Sequence, residues 1–133
     1  MKIYNEHSVY ELAYHIIFCT KYRQPIIKEE IEIEVKKILA ETCEEYNWKL
    51  ETLETMPDHV HLFIRTDPMT APAEIAKTLK SISAIYIFGK FPKLKGKKFW
   101  GSGLWSRSTY YGAVGNISEE IVKKYIENQK IKD

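Results

Sequence analysis

The chain has 133 residues, of which 44% are hydrophobic and 13% aromatic, which is enough for one domain with a buried core and argues against disorder. Its net charge is only +2, and its longest apolar stretch, residues 16–19, is far shorter than the roughly 20 residues that cross a bilayer. No charged-then-apolar leader opens the sequence. We therefore expect a single domain over residues 1–133, in the cytoplasm and without a membrane partner. Cys19 and Cys43 lack the close pairing of a metal or redox motif and are expected to be buried thiols.

The charge is distributed unevenly along the chain. Residues 75–118, here called the basic segment, contain eight basic residues and no acidic one, which leaves 12 basic and 18 acidic residues elsewhere. Ammonium groups interleaved with flat rings suit phosphates and unstacked bases. A lysine-rich surface loop beside core aromatics would have the same composition, so both interpretations stay open. The residues concerned are Lys77, Lys80, Lys90, Lys93, Lys95, Lys97, Lys98 and Arg107, with Phe91, Phe99, Trp100 and Trp105.

The first half of the chain predicts three strands and a helix. An almost continuous apolar and aromatic run predicts a buried strand over residues 9–20. Apolar residues then recur at helical spacing and predict an amphipathic helix over residues 28–47. Two strands follow, at residues 48–56 and 59–66, joined by the turn-forming pair Pro57-Asp58.

The second half predicts two helices around one more strand. The first of these helices has Thr70 as its predicted cap and Pro72 in its first turn. A glycine-bearing basic loop is predicted over residues 90–103, and a strand around residues 104–113. A last helix is predicted to open at Ser118, with acidic residues in its first turn.

The order β-α-β-β-α-β-α predicts an α+β fold of the ferredoxin-like (RRM-like) type, an antiparallel sheet with one extra C-terminal helix. In that topology the first and third strands are central, and two helices cover one face of the sheet. The third strand carries His59 and His61. Because side chains alternate along a strand, Val60 and Leu62 can pack under the helices while both imidazoles stand on the open face.

Two imidazoles on one face can share a metal ion, although two polar residues on a half-exposed face would give the same pattern. The last helix offers further candidates, since Tyr125 and Gln129 are spaced i, i+4 and point the same way. A core aromatic and a polar tail residue would explain each of them separately. Sequence spacing alone leaves both interpretations open.

Together, His59-Val60-His61 before an apolar run and Tyr125-x-x-x-Gln129 on the final helix resemble the HUH single-tyrosine transposases of small insertion sequences that move as single-stranded DNA. Nearly the whole chain takes part in the resemblance, in matching order and without a departure at the catalytic positions. The other similar blocks are Phe18-Cys19-Thr20-Lys21-Tyr22-Arg23, Met56-Pro57-Asp58, and Leu104-Trp105-Ser106-Arg107 running to Tyr110-Tyr111-Gly112 and Gly115.

The resemblance implies a transposase that cleaves and rejoins single-stranded DNA with hairpin ends. Tyr125 would be the catalytic nucleophile and form a 5′-phosphotyrosine, while His59, His61 and Gln129 would hold a divalent metal. Imidazole suits zinc, nickel or copper about as well as manganese, so the choice of Mg²⁺ or Mn²⁺ comes from the resemblance. No nucleotide cofactor is implied. The candidates for DNA contact are Lys21, Arg23, Lys93, Lys95, Lys97, Lys98 and Arg107.

The resemblance also implies a homodimer in which the sheets of two subunits join and the tyrosine helix can complete the partner's site. Other classes of protein share parts of these patterns. A non-catalytic RNA-binding module would have the same sheet, but the third strand lacks its aromatic pattern. A histidine-triad nucleotide hydrolase would have histidine where Phe63 stands. A plasmid relaxase or a rolling-circle replication initiator shares the HUH chemistry but is usually larger.

Overall fold

A computed structural model describes residues 3–4, 9–10, 12–99, 103–113 and 123–128 of the chain. Residues 123–128 are helical and are called α4 here. The other elements, in chain order, are β1 (Ile3–Tyr4), β2 (Val9–Tyr10), β3 (Ala13–Cys19), α1 (Glu29–Glu45), β4 (Lys49–Met56), β5 (His59–Arg65), α2 (Pro72–Lys90), α3 (Pro92–Lys98) and β6 (Tyr110–Ala113).

Four strands form one antiparallel sheet in the order β4-β5-β3-β6, and β1 pairs with β2 in a separate small sheet. Numbered by their order in the chain, the four strands of the main sheet follow the ferredoxin-like arrangement, so the predicted α+β fold class is confirmed. The strand with the two histidines, β5, is therefore central. It is paired on both sides, which fixes its register and the direction of its side chains.

The core lies between the sheet and the helix layer. Ile16 and Phe18 of β3 and Val60, Leu62 and Ile64 of β5 have no exposed surface and pack in one cluster with buried residues of α1 and α2. Burying one such side chain stabilises the fold by roughly 1.5–3 kcal/mol. Along β5 the buried and half-buried side chains alternate residue by residue, so the predicted alternation is confirmed.

The first strand of the sheet is shorter than predicted. Its pairing with β5 starts at Ala13, opposite Arg65, whereas Val9 and Tyr10 pair with Tyr4 and Ile3 in the small sheet. A continuous apolar run does not mark where one pairing ends and another begins. The prediction of one strand over residues 9–20 was therefore too long.

The helix predicted over residues 28–47 forms as α1 and ends two residues earlier. Asn47 adopts a left-handed conformation with φ of 60°, which asparagine tolerates better than most residues. The next amide, Trp48 N, donates to the Cys43 carbonyl at 2.9 Å. Cys43 itself is buried, as predicted, and burial raises the pKa of its thiol to about 12.

The second long helix, α2, begins differently from the prediction. Pro72 occupies its first turn as expected, but Ala71 stands at the N-cap and no side chain caps the helix. Thr70 Oγ1 instead donates to Asp67 Oδ1 at 3.0 Å, and the Met69 amide donates to the same oxygen at 2.8 Å. The prediction of Thr70 as the cap was wrong, because a local bond to Asp67 takes its hydroxyl.

The predicted basic loop contains a helix. Pro92 provides the first turn of α3, where its fixed φ is favourable. Phe91 and Leu94 pack against the core cluster, and the lysines between and after them are good helix formers. Burial of one side of the segment therefore outweighs the glycine content that suggested a loop, of which Gly96 lies within α3.

The last strand is also shorter than predicted. β6 pairs with β3, while Trp105 forms an isolated antiparallel bridge with Thr20, and Ser106 N donates to the Cys19 carbonyl at 2.8 Å. The Trp105 ring packs edge-on against Phe18, and its indole N–H donates to Ser83 Oγ at 2.9 Å. Lys80 Nζ donates to two backbone carbonyls of this segment at 2.8 and 3.1 Å. These contacts bind the segment to α2. The predicted start of the last helix, Ser118, lies outside the described residues.

Candidate functional site

His59 and His61 lie side by side on the face of the sheet that α1 and α2 do not cover. Their side chains are partly accessible, with 16% and 23% of their surface exposed. The pairing of β5 on both sides holds them there. The two imidazoles predicted to share a face therefore do so.

His59 is oriented by the residue before it. Its Nδ1 lies 2.8 Å from Asp58 Oδ1, while Asp58 Oδ2 accepts a hydrogen bond from Arg23 Nε at 2.9 Å. Burial by itself raises the pKa of Asp58, but the hydrogen bonds and charges of His59 and Arg23 outweigh it and hold that pKa below its usual range. Asp58 is therefore a carboxylate at neutral pH.

His61 contacts a third histidine, His15, which was not among the predicted site residues. His61 Nε2 lies 2.9 Å from His15 Nδ1, and the His15 ring stacks on Phe63 with 4.6 Å between the ring centroids. His61 Nδ1 is 3.7 Å from Glu54 Oε1, too far for a hydrogen bond. The signal for His15 was present in the alternation of β3, where Ile16 and Phe18 face the helices and His15 therefore faces away from them.

Both paired imidazoles are neutral near pH 7. Burial lowers the pKa of His15. Burial and the nearby His15 also lower the pKa of His61, and Glu54 raises that pKa by a smaller amount. A neutral imidazole has a lone pair with which to bind a cation. Among the described residues, no three His, Cys, Asp or Glu side chains are placed to hold a metal ion together.

Tyr125 stands on α4. Its hydroxyl donates to the Ser108 carbonyl at 3.0 Å, and its ring centroid is 6.0 Å from that of Tyr110. Tyr110, Ile17 and His61 are successive partners across β6, β3 and β5, so their side chains share one face. Two strand spacings, about 10 Å, separate the backbones of Tyr110 and His61. Gln129, the other residue predicted on this helix, lies outside the described residues.

The predicted DNA contacts lie in three places: the turn after β3, the helix α3, and the segment that contains Arg107. Lys21 and Arg23 are in a 3-10 turn (Lys21–Arg23) at the end of β3, where Arg23 is paired with Asp58. Lys95 lies over the Phe88 ring at 5.5 Å, and Arg107 is exposed. Lys93, Lys97 and Lys98 line a groove with Ile31, Phe91, Pro92 and Leu94.

Part of the basic segment has a structural role. Lys80 binds backbone carbonyls, and Lys90 Nζ lies 3.5 Å from Glu34 Oε1. Phe99 and Trp105 are buried, so the interpretation as core aromatics is confirmed for these two rings. Because α3 packs beside α1 and α2, its lysines lie on the helix side of the sheet, away from the histidines. Trp100 lies outside the described residues.

The structure combines a four-stranded ferredoxin-like sheet, helices on one of its faces, and a histidine pair on the other face beside a helix that carries a tyrosine. Together these features define a class of protein. The chain matches the family described as Transposase IS200 like over residues 8–129. It belongs to this family and is a DNA strand-transfer enzyme by class. No helix in the described part of the chain has the length and apolar character needed to cross a bilayer.

Individual proteins that are similar to the chain are also transposases. The ISDra2 transposase TnpA of Deinococcus radiodurans is 38% identical over 125 residues, which are 94% of this chain and 89% of the relative. The transposase for insertion sequence element IS200 of Salmonella typhimurium is 29% identical over 127 residues, 96% of this chain and 82% of the relative.

Solved structures show the same architecture. A crystal structure of a Deinococcus radiodurans R1 chain described as a transposase has a TM-score of 0.88 and 35% identity, covering 96% of this chain and 97% of that one. A REP-associated tyrosine transposase bound to a REP hairpin has a TM-score of 0.57 and 12% identity, covering 96% of this chain and 68% of that one. At that identity the second likeness concerns the fold alone.

Proposed function

We propose that this transposase cleaves and rejoins single-stranded DNA at the ends of an insertion sequence, through a covalent 5′-phosphotyrosine. The observation that carries the proposal is the pair His59 and His61 on the open sheet face beside the helix with Tyr125. Because the proposed substrate is DNA, the proposed place of action is the cytoplasm.

In the proposed reaction Tyr125 is the nucleophile. Its oxygen forms a bond to the phosphorus as the phenolic proton is lost, and the bond from phosphorus to the 3′-oxygen breaks. That oxygen takes up a proton and leaves as a 3′-hydroxyl, so the phosphate ester is conserved on the tyrosine for rejoining. In the described arrangement the hydroxyl donates to the Ser108 carbonyl, and this bond must be given up before attack.

His59 and His61 suit a divalent cation, Mg²⁺ or Mn²⁺. The donor set is appropriate because Asp58 occupies one nitrogen of His59 and leaves the other for a ligand. His61 is neutral near pH 7 and has one unprotonated nitrogen, and its Nε2 binds a cation only after giving up the contact with His15 Nδ1. Gln129 is the proposed third ligand. When bound, the cation polarises the scissile phosphate and stabilises the charge that develops on it.

A direct experiment tests the proposal. The protein is incubated with Mg²⁺ and labelled single-stranded DNA from the flanks of its own gene, and the products are separated on a denaturing gel. We expect a slowly migrating band that protease removes. If no flanking sequence gives such an adduct while the DNA is still bound, the chain acts as a binding module instead.

Hairpin DNA is the proposed partner, as the resemblance to the HUH single-tyrosine transposases implies. The exposed lysines of α3 and the groove they line supply cations and an apolar surface of the kind that backbone and unstacked bases require. Lys21 and Arg107 add charge elsewhere. A hairpin held by α3 would be bound apart from the strand that is cleaved, because α3 and the histidines lie on different sides of the sheet.

Replacing Lys95, Lys97 and Lys98 of α3 by Gln is expected to weaken hairpin binding and to flatten its salt dependence. Each lost phosphate contact reduces the magnitude of the slope of log affinity against log salt by roughly 0.7 to 0.9, so the three changes together reduce it by roughly 2 to 3. Fluorescence anisotropy over a salt series measures the slope. The matched control replaces Lys36 and Lys49, which lie outside the basic segment, and keeps the wild-type slope. An unchanged slope in the triple variant would remove α3 from the DNA interface.

A homodimer is the proposed assembly. In the described part of the chain β4 and β6 are the edge strands of the sheet, and an edge offers unpaired backbone groups to a second copy. The Tyr125 hydroxyl donates to the Ser108 carbonyl of its own chain, and in the proposed dimer the tyrosine can serve the partner's site once that bond is given up.

Mixing two inactive variants tests the sharing of sites. If tyrosine and histidines of one site come from different chains, refolded mixtures of His61→Ala and Tyr125→Phe regain up to about a quarter of the wild-type adduct, because half of the chains form mixed dimers with one intact site each. Each variant alone remains inactive. Sedimentation at several concentrations establishes whether dimers are present. Dimers that show no recovery after mixing would place both groups in one chain.

A further inference from the structure

The Asp58 carboxylate links a catalytic histidine, His59, to Arg23, which lies 35 positions before Asp58 in the chain. Asp58 Oδ1 lies 2.8 Å from His59 Nδ1, and Asp58 Oδ2 lies 2.9 Å from Arg23 Nε. All three side chains are mostly shielded from solvent, with 28% of Arg23, 18% of Asp58 and 16% of His59 exposed. Each oxygen of the carboxylate therefore has its own partner.

The chain holds Arg23 in place by an unusual turn. Tyr22 and Arg23 have φ of 58° and 51°, a region that residues other than glycine adopt only when their surroundings require it. The turn is bonded at both ends, since Arg23 N donates to the Thr20 carbonyl and Thr20 N donates to the Asp58 carbonyl, both at 2.9 Å. The backbone that carries Arg23 is thus tied to the backbone that carries Asp58.

We propose that Asp58 and Arg23 are positioning residues for His59: the carboxylate fixes the proton of the imidazole on Nδ1, and the guanidinium fixes the carboxylate. The inference rests on the proposed function of His59 as a metal ligand. It also adds a role for Arg23, whose Nε is directed at Asp58.

The chemistry follows from the single N–H of a neutral imidazole. With that proton on Nδ1 and donated to Asp58, Nε2 keeps its lone pair for a cation. Partners of this kind orient metal-binding histidines, and their loss typically costs about 10-fold to 100-fold in metal affinity. Arg23 matters because a carboxylate free to rotate would not hold the ring in one orientation.

Asp58→Asn separates positioning from a merely structural role. The Arg23 N–H requires an oxygen, so the new amide turns its oxygen toward Arg23 and its NH₂ toward His59. An NH₂ group facing Nδ1 forces the imidazole proton onto Nε2. We expect nitrogen NMR of histidine-labelled protein, with His59→Ala to assign the signal, to show the proton on Nδ1 in the wild type and on Nε2 in the variant. Titration with Mn²⁺ alone is expected to show affinity lower by about 10-fold to 100-fold.

The double variant Asp58→Asn with Arg23→Met is the rescue. Methionine keeps an unbranched stem but has no donor, so the amide can turn its oxygen back toward His59. We expect the proton to return to Nδ1 and part of the Mn²⁺ affinity to return with it. A turn that merely needed the ion pair would instead be damaged further by the second change. Glu51→Gln is the matched control. It removes a carboxylate of β4 that lies beside Arg65 of β5, and we expect it to change neither readout.

The outcomes are distinguishable from failure of the proposed function. If His59→Ala weakens Mn²⁺ binding and Asp58→Asn does not, His59 is a ligand and the positioning role is overturned. If the proton stays on Nδ1 in Asp58→Asn, it is overturned as well. If His59→Ala leaves Mn²⁺ affinity unchanged, the metal site itself is wrong, and the inference falls with it. Thermal melting of each variant confirms that the comparison is made between folded proteins.

Discussion

Tyr125→Phe is expected to abolish the covalent protein–DNA adduct completely while hairpin binding and folding persist. The change removes one oxygen from a half-buried side chain and leaves its ring in contact with Tyr110, 6.0 Å between centroids. The lost hydrogen bond to Ser108 costs about 1 kcal/mol of stability, too little to unfold a domain of this size. Denaturing gels detect the adduct, and anisotropy with hairpin DNA reports binding.

Tyr110→Phe is the matched control for this result, because Tyr110 contacts the same helix and shares the sheet face with His61. It should still form the adduct. Peptide mapping of the trapped wild-type adduct gives an independent reading of the same assignment. A nucleotide found on Tyr110 or Tyr111, or an adduct that persists in Tyr125→Phe, would show that another tyrosine is the nucleophile and would leave the histidine site intact.

His61→Ala and His59→Ala are expected to reduce cleavage by roughly 10³-fold or more, since stabilisation of the phosphate by a bound cation contributes several kcal/mol and each 1.36 kcal/mol is about tenfold in rate. Hairpin affinity should change little, because the lysines proposed to bind the stem lie on the other side of the sheet. Rates are measured with Mg²⁺ on labelled single-stranded DNA, and affinity by anisotropy.

Met56→Ala serves as the control for the histidine variants. Met56 is the cross-strand partner of His59, and its side chain is 53% exposed, so the change alters the neighbourhood without removing a nitrogen. It should cleave at the wild-type rate. If either histidine variant cleaves as fast as the wild type with Mg²⁺, the cation is not held by these residues and the proposed mechanism must be abandoned.

Both predictions concern residues that could be identified from the sequence, because the patterns that mark these residues are local. Alternation along a strand places His59 and His61 together wherever that strand lies, because the period of two is a property of the backbone. Helical spacing in the same way predicts α1 and α2. The order of strands and helices along the chain then predicts the ferredoxin-like sheet, since few topologies accommodate that order.

Tertiary structure decided what lies far apart in the chain. His15 meets His61 across 46 positions, and Arg23 meets Asp58 across 35; no local period connects them, and only the register of β3 against β5 and the bonded turn at Arg23 bring them together. The same holds where predictions were wrong. The segment of α3 was predicted as part of a glycine-bearing loop, yet burial of Phe91 and Leu94 against the helices makes it helical. Sequence by itself therefore determined which side chains share a face, and packing between distant elements decided which of them touch.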